Sequence, residues 1–416
     1  MSKVFKFGGA SIKDVESIKN VSEILFSHKN DDLFIIFSAM GKVTNMLEDV
    51  LDKYVNHSSE TSYLLQKVKD FHYSILDNLF EKEEQIYNDV NNLFVEIEWV
   101  LEDDPNENYD YDYDQIVSIG ELISTKIMSS YLNKIGFKNI WIDARDIIKT
   151  DNTHRFAKVN WSITEKSILS VKSEFPKITQ GFIGCTSENF TTTLGREGSD
   201  FSAAIIGYCI NATEVVIWKD VDGLLNSDPR YFENSELLEE IPFTEAVELA
   251  YFGAKVIHPK TIYPLKRKSI PLFVKSFISP NNKGTIIKND VEITPLIPSY
   301  IVKENQILIS ISDINLSFIV ENHLSEIFNV LSELNISVNL MQNSAASFSI
   351  CIDNNKKRVS KLIKILNESF NVYFNDDLTL FTIRHYDEQA VDLVLKGKKL
   401  ILEQKSRNTI QIVVKQ

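Results

Sequence analysis

Residues 191–230 read TTTLGREGSDFSAAIIGYCINATEVVIWKDVDGLLNSDPR. This stretch holds a glycine-flanked arginine, a following aspartate, a buried strand and a second charged turn. The layout points to a nucleotide site built from two strand-end loops of an α/β sheet. The chain has 14 glycines in 416 residues, and Gly195, Gly198 and Gly223 fall in this segment. A glycine-poor chain tends to place glycine where the backbone takes positive φ or approaches a ligand closely.

Working outward, the first forty residues read as strand, helix, strand. KVFKF ends in Gly8-Gly9, a helix fits 14–28, and LFIIFSAMG is a buried strand ending in a turn. Buried runs followed by glycine-bearing loops and helices are typical of mainly parallel sheets. Residues 45–101 carry helical spacing and suggest a long helical excursion, closed by EDDPNENYDYDYD, which reads as a solvated acidic loop. Strand-like runs recur at NIWIDA, KITQGFIG, EVVIWKDVDG and PLFVKS, and 245–267 carries a helical face with FGAKVIHPKT. Pro295 and Pro298 mark the exit from a first domain, 1–297. Residues 298–416 then repeat a small α+β unit: a β-α-β-β-α order, followed by a shorter round with a helix near Ala390.

Composition bounds the function. Hydrophobic residues make up 44% and charged residues 25%, which is ordinary for a globular protein. A net charge of −14 without a basic run argues against a nucleic-acid partner. Cys185, Cys209 and Cys351 form no CxxC pair and read as reduced core residues, so neither a disulfide framework nor a zinc site is expected. The absence of a signal-peptide pattern and of an apolar run near about 18 residues makes a cytoplasmic, non-membrane protein the expectation.

The loops carry the chemistry. Lys6 precedes Gly8-Gly9, so backbone N–H groups and one ammonium can face a phosphate; a plain tight turn is the alternative. No Walker A loop and no GxGxxG fingerprint is present. Ser38 to Gly41 with Thr44, Gly120-Glu121, Gly195 to Asp200, and Lys219-Asp220 share the pattern of polar beside small residues. Arg196 suits a carboxylate or phosphate fork, while Asp200 and Ser199 have the rival reading of helix caps.

The ordered motifs KFGGAS, SAMGKVTN, SIGELIST, TTTLGREGSD, WKDVDGLLNSDPR and FGAKVIHP resemble an aspartate kinase of the amino-acid-kinase superfamily. VNLMQNSAASFSICID resembles the ligand-sensing ACT domains attached to that enzyme, so the likeness spans nearly the whole chain. The resemblance implies an α/β fold, a mainly parallel sheet sandwiched by helices, followed by ferredoxin-like ACT units. It implies transfer of the γ-phosphoryl of ATP to the side-chain carboxylate of L-aspartate, an acceptor already ionised that needs no general base. On that reading Lys6 neutralises charge on the transferred group with N–H groups near Gly8 and Gly9, and Asp200 orients Lys6. Glu121 takes the amino group of aspartate and Arg196 its α-carboxylate, with Ser38 and Thr44 nearby. Lys219, Asp220, Arg230 and Lys255 line the nucleotide, Mg²⁺ rides mainly on ATP oxygens without a protein metal site, and His258 packs rather than reacts.

The sequence departs from the family pattern at Ala10 (usually Thr), Glu197 (often Gly), Lys219 (often Thr) and Leu225 (often aromatic). Asn339 stands where lysine-inhibited relatives tend to be acidic, and VENHLSEIF lacks their glycine. Asn339 and Ser344 are the candidate effector residues, for lysine or threonine. The alternative is an ACT region kept for homodimer or higher assembly. Rival functions are a catalytically silent amino-acid sensor and a kinase for another amino-acid carboxylate, such as N-acetylglutamate. The retained Lys6 and Asp200 speak against the first, and the FGAKVIHP and ACT-like pair against the second.

Overall fold

The computed structural model describes residues 2–254, 257–314 and 318–415. They form two compact units: 1–224 with 237–247 and 255–294, and 225–236 with 248–254 and 295–416. The sequence boundary at 297/298 lies close to the start of the last segment. That two earlier segments group with the second unit was not foreseen.

In the first unit, β1 (Ser2–Phe7), α1 (Val15–Ser27) and β2 (Asp32–Phe37) open the chain, as the apolar runs require. Asp14 starts α1 by accepting from Ser17 N at 2.8 Å. The excursion consists of α2 (Val43–Val55), α3 (Thr61–Leu79), α4 (Ile86–Glu102) and α5 (Tyr109–Lys134). After it come β3 (Ile140–Trp141), α6 (Ala144–Ile147), α7 (Trp161–Ser170), β4 (Lys177–Gln180), the hairpin β5 (Ile183–Cys185) and β6 (Thr191–Thr193), and α8 (Gly198–Cys209). The chain continues through β7 (Glu214–Lys219), β8 (Glu240–Pro242), α9 (Phe243–Phe252, of which 243–247 group with this unit), α10 (Pro259–Arg267), β9 (Leu272–Ser276) and β10 (Thr285–Lys288).

The main sheet has the order β3-β4-β2-β1-β7-β9-β10-β8. All its pairings are parallel except β9 with β10. β1 is central: the chain first builds outward through β2 and β4, then returns to place β7 on the other flank. That reversal is the topological switch point at which open α/β sheets bind ligands. Val4, Phe5 and Phe7 are buried, so β1 has little contact with water on either face.

One sequence expectation is corrected. Residues 109–114 are not a solvated loop but the first turns of α5, with Asp112 and Asp114 buried. Asn108 caps the helix by accepting from Asp110 N, and acidic residues suit the positive end of the helix dipole.

The second unit contains β11 (Ser299–Asp313), α11 (Glu321–Glu333), β12 (Val338–Asn343), β13 (Phe348–Asp353), α12 (Lys356–Leu366), β14 (Phe370–Arg384), α13 (Glu388–Leu395), β15 (Lys399–Lys405) and β16 (Thr409–Lys415). Its sheet order is β12-β13-β11-β14-β16-β15. β11 and β14 are long strands that serve two ferredoxin-like halves. Residues 306–313 pair with 370–378 and complete the first half, while 299–303 pair with 380–384 in the second. The second half thus takes its fourth strand from chain that precedes the first half.

Candidate active site

Lys6 lies in β1 in register with Ile36 of β2 and Ile217 of β7, near the carboxyl ends of all three strands. Its Nζ is 2.6 Å from Asp200 Oδ1, and Lys219 Nζ, at the end of β7, is 3.3 Å from Oδ2. Asp200 is fully buried in the first turn of α8. Burial alone pushes its carboxyl up, but Lys6 and Lys219 more than reverse this and hold it below the usual carboxylate value. The cap reading of Asp200 therefore fails. Glu197 occupies the N-cap of α8 in the left-handed region, at φ 55°, without a side-chain cap bond.

The neighbouring loops close on this pair. A Cβ on Gly9 would stand 2.6 Å from Ala39 O and 2.8 Å from Gly41 O, so only glycine lets these two turns touch. Gly41 N donates to Gly9 O at 3.0 Å, and Ser38 N to Phe7 O at 3.1 Å. Ser124 Oγ of α5 donates to Ser38 O at 2.8 Å, which holds α5 against the end of β2. One turn earlier on α5, Glu121 is buried and its Oε2 has no partner among the described residues. Burial pushes its carboxyl up to about 8, against the opposing pull of Ala39 N–H and Lys6. Thr44 is half-buried in the first turn of α2.

Arg196 and Glu197 are exposed. Both are close enough to His258 to act on it electrostatically, and burial is the main reason the imidazole titrates low. His258 caps α10, its Nδ1 accepting from Lys260 N at 3.2 Å. Sequence reasoning missed what holds the arginine loop. Buried Asp114 accepts from Thr193 Oγ1 at 2.6 Å, His154 Nδ1 at 2.9 Å and Arg155 N at 3.0 Å. Asp114 thereby ties α5 and residues 154–155 to the end of β6, two residues before Gly195. The signal was present in YDYDYD, but its alternation looks like turn composition.

Lys6 and Lys219 sit at the ends of strands, Gly8, Gly9, Ser38, Arg196 and Asp220 in the turns after strands, Thr44 and Asp200 in first helix turns, and Glu121 midway along α5, all in the first unit. Asp220 is exposed. Lys219, read as a nucleotide residue, shares the Asp200 carboxylate with Lys6. Arg230 belongs to the second unit, where it forks onto Asp228 at 2.6 and 3.0 Å. Lys255 lies outside the described residues. In the second unit, Asn339 is committed: Oδ1 accepts from Lys303 Nζ at 2.7 Å, and Nδ2 donates to Gln306 Oε1 at 2.8 Å and Asp353 Oδ1 at 2.9 Å. Ser344 lies in the exposed turn after β12. The three cysteines are free and buried, with Cys209 and Cys351 pushed up to about 12 by burial.

Two ammonium groups on one buried carboxylate leave net positive charge at the switch point, where open α/β sheets bind their ligands. Residues 1–276 match the family model of the amino acid kinase family. Lysine-sensitive aspartokinase 3 of Escherichia coli is 33% identical over 356 residues, covering 84% of this chain and 78% of that protein. The crystal structure of E. coli aspartokinase III with lysine and aspartate aligns with a TM-score of 0.84 at 28% identity, covering 99% of this chain and 96% of that one. The same enzyme with aspartate and ADP gives 0.83 at 27% identity, over 100% and 96% of the two chains. The chain belongs to the amino acid kinase family, and within it to the aspartate kinases, ATP-dependent phosphotransferases with a carboxylate acceptor. No described helix is long and apolar enough to cross a membrane.

Proposed function

We propose that the Lys6–Asp200–Lys219 cluster is the catalytic centre for phosphoryl transfer from ATP to the side-chain carboxylate of L-aspartate. A carboxylate oxygen attacks the γ-phosphorus, the bond to the β–γ bridging oxygen breaks, and ADP leaves with the electron pair. The acceptor is ionised at neutral pH, so no side chain has to remove a proton. Catalysis then consists of positioning and charge neutralisation. Lys6 meets the transferred phosphoryl, and Asp200 fixes the positions of Lys6 and Lys219. Glu121 receives the substrate ammonium and Arg196 its α-carboxylate, with Ser38 and Thr44 alongside. Lys219 and Asp220 complete the nucleotide contacts on this unit.

The buried Asp200 carboxylate is already matched by two ammonium groups. A Mg²⁺ ion would be held mainly by ATP's own phosphate oxygens, where it would screen phosphate charge. The carrying observation is the pair of ammonium groups sharing Asp200 at the switch point. Lys6→Ala is expected to lower kcat by about 100-fold or more with a modest change in aspartate KM. Near-normal turnover of that variant takes Lys6 out of the role.

The two ferredoxin-like halves are proposed to pair between copies as a homodimer and to take lysine as effector, since a similar E. coli enzyme is named lysine-sensitive. Lys303 already occupies Asn339, so Asn339 is not a ready contact for an effector ammonium. Titrating lysine and threonine into the kinase assay tests this: activity flat through millimolar lysine leaves the region to assembly alone.

A further inference from the structure

A groove of about 410 Å³ lies in the first unit between α7, α8 and α10, lined by Trp161, Phe201, Tyr208, Tyr263, Lys260 and Arg267, with Pro259 and Pro264. None of its residues belongs to the strand-end loops. Phe201 and Tyr208 are seven residues apart on α8, and Lys260, Tyr263 and Arg267 follow helical spacing on α10, so each helix offers one continuous stripe. The rings are ordered on one another: Trp161 meets Tyr208 edge-on at 5.1 Å and Phe201 at 6.3 Å. The volume falls in the range of small-molecule sites, which are apolar with a few placed polar groups.

The charge is unlike that of the rest of the protein. The chain carries 58 acidic against 44 basic residues, yet the groove has two cations and no carboxylate in its lining. Arg267 is set between two rings, 5.7 Å from the Tyr208 centroid and 6.0 Å from that of Tyr263. Neither Arg267 nor Lys260 has an ion-pair partner among the described residues. Lys268 beside them is already spent on Glu165 at 3.4 Å and Tyr208 O at 2.7 Å. Tyr263 is exposed and offers its ring to solvent as well as to Arg267.

We propose that this groove binds a small planar aromatic anion. Its ring packs on Trp161, Phe201 and Tyr263, and its carboxylate or phosphate meets Arg267 and Lys260. Flat rings suit the aromatic walls, and an anion suits a guanidinium that stands near two tyrosine rings without an ion-pair partner among the described residues.

The test is calorimetric titration of the full chain, with the strand-end site saturated by ADP and aspartate. Phenylpyruvate serves as aryl carboxylate and phenyl phosphate as aryl phosphate. Saturable binding of either supports the site and tells which anion it prefers. Arg267→Glu and Lys260→Glu, both at exposed positions, should weaken that binding by about tenfold or more while leaving kinase turnover unchanged. Phenylalaninol, a cation, and cyclohexanecarboxylate, which lacks a flat ring, should bind about tenfold more weakly than phenylpyruvate. No saturable heat from either aryl anion at millimolar concentration overturns the proposal, as does binding undiminished in both variants. A changed sedimentation coefficient in Arg267→Glu, without ligand binding by the parent, would instead assign the groove to a second copy of the chain.

Discussion

Glu121 is a buried acid whose carboxyl is pushed up to about 8, mainly by desolvation. In the substrate-free protein at neutral pH it is therefore largely protonated, and a substrate ammonium would favour the ionised form. Aspartate binding near pH 7 is expected to release up to about one proton per site, read from calorimetry in buffers of different ionisation enthalpy. Affinity for aspartate should tighten as pH rises toward 8, and Glu121→Gln should abolish both effects. The same shift acts on stability. The folded value lies above the ordinary 4.5, so the folded state holds the proton longer. Glu121's stability contribution is therefore complete below the unfolded value and is lost as pH rises through the folded one. Thermal melts should show Glu121→Gln gaining on the parent between about pH 5 and pH 8. At the other end of the site, Glu197 holds φ 55°, a region costly for side chains with a Cβ. Glu197→Gly is expected to be neutral or stabilising by up to about 1 kcal/mol in a denaturant melt, the reverse of glycine's usual effect inside a helix. The residue types at this site were legible because glycine, lysine and aspartate at strand ends carry their chemistry locally. The pairing of Lys219 with Asp200 was not, since it depends on where α8 sets its first turn against the ends of β1 and β7.

Among the elements, α5 connects both sides of the proposed substrate region. Ser124 holds the end of β2, Glu121 faces the interior beside Ala39, and Asp114 anchors the residues leading to Gly195. Burial raises Asp114's carboxyl, while Thr193, Arg155 N–H and His154 counter it. Removing the carboxylate leaves buried donors without an acceptor, at a cost of about 2–3 kcal/mol. Asp114→Ala should therefore lower stability by that order in urea, and raise aspartate KM more than it lowers kcat, because Arg196 would be displaced while Lys6 stays in place. Asp114→Asn keeps an acceptor for Thr193 and Arg155, so it should restore most of the KM and less of the stability. Equal loss of kcat and kcat/KM in both variants would contradict the assignment. This element was misread at its start. Its first six residues, YDYDYD, have turn-like composition, and their burial comes from partners at 154–155 and 193 that no local pattern announces. The helices before it were legible because glycine and proline are nearly absent over 45–101 and the apolar spacing is regular.

At the scale of the molecule, the second unit is one six-stranded sheet made from two halves that exchange strands. The order of its elements was readable from the sequence, but the exchange was not. Residues 303–306 and 375–377 interrupt the apolar alternation in the middle of β11 and β14, so each long strand reads as one short strand and a loop. The register shifts between Lys303 and Gln306 and between Gln306 and Leu308 fall at this junction. There Lys303, which burial makes easier to deprotonate, donates to Asn339, and Gln306 donates to Asp353 at 2.8 Å. A satisfied polar knot at the join fixes which half each strand segment serves. If the halves are separable units, damage to 299–303 should stay in the second half. Ile301→Pro in the full chain removes a donor and blocks the ladder to β14, where Ile301 faces Thr382. Hydrogen exchange should then show protection at 380–384 falling by about 100-fold, while 348–352 in β13 changes only by a few-fold. Because 348–352 pair with 307–311 and not with the damaged segment, equal loss in both strands would mean that the sheet opens as one cooperative body.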